Sequence, residues 1–287
     1  MEKLQLHYYL ENNSHAMNAF IKNKAELELL RLLNHVSKTL KYDLEFEIEA
    51  LEEGGILERI RIINKKKGKT YVLALSIFGS IFTTILTNVI SDYISKNKKL
   101  ENLQIEVLEK ESIKLDYEIK KLKEADYKDE DSLKKVILFL LMDGKVKVLK
   151  SNFYEFLDNE QKITQISTLE LDNNNEPISE EKIVEKSKFK RFVEKEIELE
   201  PKVISNSEVE IISPVFKKGN DNWKGILNGE PIEFKIGDLE FKKKVLDRQV
   251  SFTTGTKILC ELEIKIVLDK KGDPKVKSRY AYDIVVK

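Results

Sequence analysis

Residues 70–91 read TYVLALSIFGSIFTTILTNVIS, 22 residues without a single charge. As a helix rising about 1.5 Å per residue, the stretch would reach across a hydrocarbon layer about 30 Å thick. It predicts a transmembrane helix over 70–95. The stretch lies too deep in the chain for a cleaved signal peptide, and polar, helix-forming residues follow it where a small-residue cleavage site would stand. Lys65, Lys66, Lys67 and Lys69 precede it and Lys96, Lys98 and Lys99 follow it. Basic flanks on both sides suit lipid headgroups but give no orientation. The alternative is a buried helix of a soluble domain, because Thr, Ser and Asn dilute the apolar run.

The polar residues of this stretch share one face. At 100° per residue, Ser76, Ser80, Thr83, Thr84, Thr87, Asn88 and Ser91 fall within a sector of about 140°. In lipid, such a stripe has to meet water or another helix, so a single-span chain carrying it should self-associate. Either the stripe lines a pore in a ring of identical helices, or it is a hydrogen-bonded seam around a dry core. Gly79 in its middle allows close approach or a kink.

The next block, KNKKLENLQIEVLEKESIKLDYEIKKLKEAD from Lys96 to Asp126, has neither Gly nor Pro. Ile105, Ser112 and Ile119 repeat at one heptad position and Leu108, Leu115 and Leu122 at the other, which predicts a coiled-coil helix over 96–128. A solvated amphipathic helix packed on its own chain is the competing reading. The heptads leave the strand number open.

Residues 1–69 read as a small α/β domain. Strands are expected at Leu4–Tyr9 and Leu44–Leu51, a turn at Glu53-Gly54-Gly55, and a short strand or helix at Ile56–Ile63. Between the first two strands a helix from Met17 to about Thr39 should bury Phe20, Leu27, Leu30, Leu33 and Val36. His15, Asn18, Asn23, Lys24 and Glu26 gather near the start of that helix. They could form a polar site, but capping and intersubunit hydrogen bonds are the commoner use of such residues.

Beyond the charged helix, Asp131-Ser132-Leu133 signals a helix start, Asp143-Gly144 a stop, and Lys145–Leu149 a strand. Acids outnumber bases 13 to 7 from Ser151 to Pro201, and bases outnumber acids 17 to 13 from Lys202 to Lys287. The last segment alternates as strands at Val209–Phe216, Trp223–Leu227, Ile232–Ile236, Leu239–Val245, Lys257–Val267 and Val276–Val286, which suggests a small barrel over 202–287. Its cations Lys217, Lys218, Lys224, Lys242, Lys243, Lys244, Arg248, Lys275, Lys277 and Arg279 interleave with the aromatics Phe216, Trp223, Phe241, Phe252 and, at the end of the run from Lys275, Tyr282. Single-stranded nucleic acid suits that pattern, since bases stack on rings while phosphates meet Lys and Arg. Against this, small barrels need aromatic residues for their cores, and a lone Trp is more often core than platform.

The 287 residues carry 50 basic and 50 acidic side chains, so only local patches can argue for an anionic partner. Cys260 is the sole cysteine, which excludes an internal disulfide framework and a cysteine-based zinc site. Histidines occur only at 7, 15 and 35. No phosphate-cradling, dinucleotide, hydrolase or zinc-protease motif is present, so neither an enzyme nor a cofactor is expected. The fold class expected is an α+β membrane protein with a single transmembrane helix, a coiled-coil helix and a barrel-like C-terminal region over 129–287.

Several stretches together resemble membrane-bound effectors of bacterial anti-phage defence, the Hailong protein A-like channels. They are HYYLENNSHAMNAFIKNKAELELL at 7–30, EALEEGG at 49–55, the apolar segment, LENLQIEVLEKESIKLDYEIKKLK at 100–123, and the strand-rich runs at 223–241 and 252–287. The similarity spans the chain through the order of its parts and loose motifs. It implies a homo-oligomer, a tetramer being favoured, in the bacterial inner membrane with its signal-binding, crown-like region (129–287) in the cytoplasm. It further implies an ion channel held closed by a single-stranded oligodeoxyadenylate made by a partner nucleotidyltransferase. Loss of that signal would open the channel. On the resemblance, the polar stripe borders the pore and the barrel holds the oligonucleotide. A membrane-anchored scaffold or sensor that binds protein and does not conduct is the alternative.

Overall fold

The computed structural model describes residues 3–49, 56–64, 71–84, 130–219 and 221–287. The turn at 53–55, the heptads of 96–128 and the stripe residues Thr87, Asn88 and Ser91 lie outside these. The described chain is an α+β protein that divides into two compact units. One comprises residues 1–195 with 270–272, the other 196–269 with 273–287.

The first unit is built on an antiparallel five-stranded sheet. Its strands are β1 (Lys3–Leu10), β2 (Leu44–Ile48), β3 (Ile56–Asn64), β4 (Ile163–Leu171) and β5 (Lys182–Glu185), in the order β2-β3-β1-β4-β5. Alternation decides which face is covered, because successive side chains of a strand point to opposite sides. Leu4, Leu6 and Tyr8 of β1 and Ile60 and Ile62 of β3 join a core with four helices. These are α1 (Ala19–Thr39), α2 (Tyr71–Thr83), α3 (Glu130–Met142) and α4 (Gly144–Asp158). Because β4 pairs with β1 along its length, residues 130–195, which the resemblance groups with the barrel in one crown-like region, belong to this unit.

Two elements differ from expectation here. The helix stops at Met142 as expected, but no strand follows: the Asp143 carboxylate accepts the Val146 N–H at 2.8 Å and starts α4. The alternation of KVKVL is overruled by Val146, Leu149, Phe153 and Leu157, which share a helical face and are all buried. In α1 the buried side is Ala25, Leu29, Leu32, Leu33 and Val36, while Phe20 is 79% and Leu27 46% exposed. Leu33 and Val36 are buried as expected and Leu30 is half-buried, but Ala25 and Leu29 stand in the core in place of Phe20 and Leu27.

The uncharged stretch supplies α2, whose 13 residues span about 20 Å. Leu75, Ile77, Phe78, Ile81 and Phe82 are each at most 1% exposed within the first unit. Among the described residues no helix is long and apolar enough to cross a membrane.

The second unit is a closed barrel of five strands: β6 (Glu198–Ser213), β7 (Trp223–Leu227), β8 (Glu230–Ile236), β9 (Lys257–Leu268) and β10 (Pro274–Val286), ordered β10-β8-β7-β6-β9. Every pairing is antiparallel except β8 with β10, which is parallel. The fourth of the six expected strands, Leu239–Val245, is instead helix α5 (Leu239–Leu246). Asp238 caps it by accepting the Phe241 N–H at 2.9 Å. Phe241 and Val245, four residues apart, turn inward while Leu239 is 78% exposed. The spacing is helical, and a period of two would have put Leu239 inside with them.

Candidate nucleic-acid interface

The barrel core gathers Val209, Ile211, Phe234, Phe241, Ile258 and Leu262 around Trp223, which is only 4% exposed. Trp223 is therefore a core residue, the commoner use of a lone Trp, and not an open platform. It lies opposite Phe234 on β8 and inside the barrel, where its ring is 6.3 Å from Phe234 and 6.4 Å from Phe241. Gly225 leaves the space this packing uses, since a Cβ there would stand 2.6 Å from Val209 Cγ1 and 2.7 Å from the Glu210 carbonyl oxygen.

The cations fall into two groups. Lys217 and Lys218 are exposed in the segment that follows β6; Lys242, Lys243 and Lys244 are on α5. The Lys242 ammonium donates to the Gly219 carbonyl and so ties this segment to the helix. Arg248, just past α5, is exposed and adopts φ +59°. Lys217, Lys218, Lys243, Lys244 and Arg248 form no ion pair among the described residues. Lys224 on β7 instead faces Glu233 at 3.9 Å.

The second group sits on β10. Lys275 is exposed and Arg279 half-buried, whereas Lys277 contacts Glu196 and Glu198, the latter at 2.8 Å. Those two hydrogen bonds hold the ammonium proton more firmly than usual and neutralise Lys277 as a phosphate contact.

Several aromatics that the sequence interleaves with these cations come together around the barrel. Phe216, 59% exposed, lies 6.0 Å from Phe252 with the rings tilted at 58°, and Phe252 meets Trp223 edge-on at 5.3 Å. On β10, Tyr280 and Tyr282 lie 6.4 Å apart in near-parallel planes, and the Tyr280 ring has Lys265 at 5.1 Å and Lys235 at 5.9 Å. The sequence names these rings but not their exposure, because nothing local distinguishes Phe216 from a core phenylalanine.

Cys260 is buried, its thiol directed to the Ser207 carbonyl at 3.6 Å, and burial pushes its pKa up to about 11. That environment opposes a reactive thiolate. Among the described residues no group of three His, Cys, Asp or Glu side chains is placed to hold a metal ion.

In the first unit, the stripe residues have partners within the chain. Ser76 donates to the Glu170 carboxylate at 3.0 Å, and Ser80 accepts from Lys182 at 3.2 Å. Lys182 and Glu170 are themselves 3.6 Å apart. Thr83 donates back to the Gly79 carbonyl at 3.0 Å, and the Thr84 carbonyl accepts from the Lys150 ammonium. The polar face of α2 thus packs on β4 and β5 around a carboxylate that is itself 5% exposed. Of the N-terminal polar cluster, Asn18 caps α1 by accepting the Phe20 N–H at 2.9 Å, Glu26 pairs with Lys22 at 2.9 Å, and Lys24 lies over the Phe156 ring. His15 and Asn23 are exposed.

No family model, no curated protein and no solved structure matches the chain.

Proposed function

We propose that the barrel binds a short single-stranded oligonucleotide and serves as the ligand-sensing part of an oligomeric effector. The observation that carries this reading is the barrel's connectivity. Five strands close through a single parallel pairing between the third and the fifth, with a helix inserted between the third and the fourth. That is the arrangement of the OB-fold, which binds oligonucleotides and oligosaccharides on one face and through its loops. Lys217, Lys218, Lys243, Lys244 and Arg248, which form no ion pair among the described residues, favour the anionic class of ligand.

In the broader form of the proposal, suggested by the resemblance, the oligonucleotide is an oligodeoxyadenylate and its loss opens an ion path through a membrane-bound oligomer. The bonds of Ser76 to Glu170 and of Ser80 to Lys182 bear on that form, because a water-filled path along this face would require both to exchange. The same bonds favour the second reading, an anchored sensor without conduction, in which the polar face of α2 stays dry.

The test is fluorescence anisotropy of the full chain with a labelled oligodeoxyadenylate of about eight nucleotides, within the site sizes known for such barrels. Binding that weakens with salt, and weakens further in a Lys243→Glu, Lys244→Glu double variant, is expected. Absence of binding at low salt refutes the proposal. Ion flux from liposomes before and after nuclease treatment separates the two forms.

A further inference from the structure

Resting on the oligonucleotide reading, we infer that Phe216 is the residue on which a base of the ligand stacks, and that Phe252 and Trp223 hold it there. An exposed phenylalanine has two ordinary explanations: it flaps freely, or it marks a surface that another molecule covers. Free motion is opposed by its backing. The Phe216 ring rests on Phe252 with centroids 6.0 Å apart, Phe252 meets Trp223 at 5.3 Å with planes at 77°, and Trp223 is 4% exposed in the core. Offset and edge-on contacts of this kind are attractive beyond the area they bury. A continuous column of three rings therefore runs from the core to the surface.

The surroundings specify what could cover the ring. Lys217 and Lys218 follow it directly, and the Lys242–Gly219 contact fastens the segment to α5, which carries Lys243 and Lys244. An exposed apolar ring followed in the chain by lysines that form no ion pair among the described residues matches a molecule with flat apolar rings joined by anionic links. Single-stranded nucleic acid has that chemistry, and each base stacked on an aromatic side chain adds a sequence-tolerant share of affinity. A purine offers the larger face. An acidic peptide would meet the charges but leave the ring without a planar partner.

The experiment compares two probes on the full chain: an oligodeoxyadenylate of about eight nucleotides and an abasic oligonucleotide of the same length. For the natural chain the base-bearing probe should bind more tightly. Phe216→Ala should weaken that probe at least about fivefold and leave the abasic one unchanged, while Phe216→Tyr keeps the preference. Lys243→Glu should weaken both probes alike. Trp223 emission, unchanged in Phe216→Ala, reports that the barrel is intact. A preference for bases that survives Phe216→Ala overturns the platform while leaving the binding proposal standing. Failure of the natural chain to bind either probe overturns both.

Discussion

Lys150 offers the sharpest quantitative test of the first unit. Its side chain lies on α4 and is 6% exposed, with the ammonium over the Phe192 ring at 4.8 Å and donating to the Thr84 carbonyl just beyond α2. Desolvation by burial pushes its pKa down from 10.5 to about 7, and the nearby Glu194 carboxylate offsets only part of that. The sign of the linkage follows from proton counts. Above pH 7 the folded chain gives up this proton while the unfolded chain keeps it to about pH 10.5, so stability rises with pH across the interval. A slope approaching 1.4 kcal/mol per pH unit, integrated from half-protonation at pH 7 to pH 9, amounts to about 2.3 kcal/mol. In Lys150→Met, which keeps the length and apolar contacts of the stem, that slope should vanish. Urea unfolding of both proteins, followed by far-ultraviolet circular dichroism at pH 7, 8 and 9, measures the difference. The Cys260 thiol begins to ionise in the unfolded chain near the upper limit, but it does so in both proteins and cancels. Parallel pH profiles for the two would refute the reasoning, since they would mean that burial does not disfavour the charged amine.

Two further perturbations address the barrel and the polar face of α2. Gly225→Ala should destabilise the barrel by about 1–3 kcal/mol, because the added methyl meets Val209 and the β6 backbone, and the urea midpoint of Trp223 emission reads it; an unchanged midpoint would contradict the packing. Ser76→Ala removes the hydroxyl that donates to the buried Glu170 carboxylate and should cost about 1–3 kcal/mol, seen as a lower melting temperature. A loss well under that range, accompanied by altered ion flux in liposomes, would instead put Ser76 on a water-lined face.

Much of the fold is legible in the sequence because strand alternation is a local property. The period-two runs at 223–227 and 257–268 contain enough residues to fix which face is buried, and the structure has strands at both. Short segments with competing periods are less decisive. Lys145–Leu149 and Leu239–Val245 alternate over a few residues, yet each is preceded by an aspartate that accepts a backbone N–H three residues on and so selects a helix. The cations of the candidate interface are equally readable as residue types. Which of them remain unpaired is not, because Lys277 is neutralised by Glu196 and Glu198, some 80 residues earlier in the chain.

The sequence by itself determined that residues 71–84 form one polar and one apolar helical face, that a β-rich segment closes the chain, and that aromatics and cations alternate along it. Only the tertiary structure decided what those faces meet. The hydroxyls of Ser76 and Ser80 find Glu170 and Lys182 because β4, paired with β1, and β5, paired with β4, carry them against α2. Trp223 is enclosed by β8 and α5, which leaves Phe216 as the ring at the surface. Helical and strand periods depend on neighbours a few residues apart, whereas the partner of a buried polar group and the exposure of an aromatic ring depend on contacts between distant segments, which no local pattern encodes.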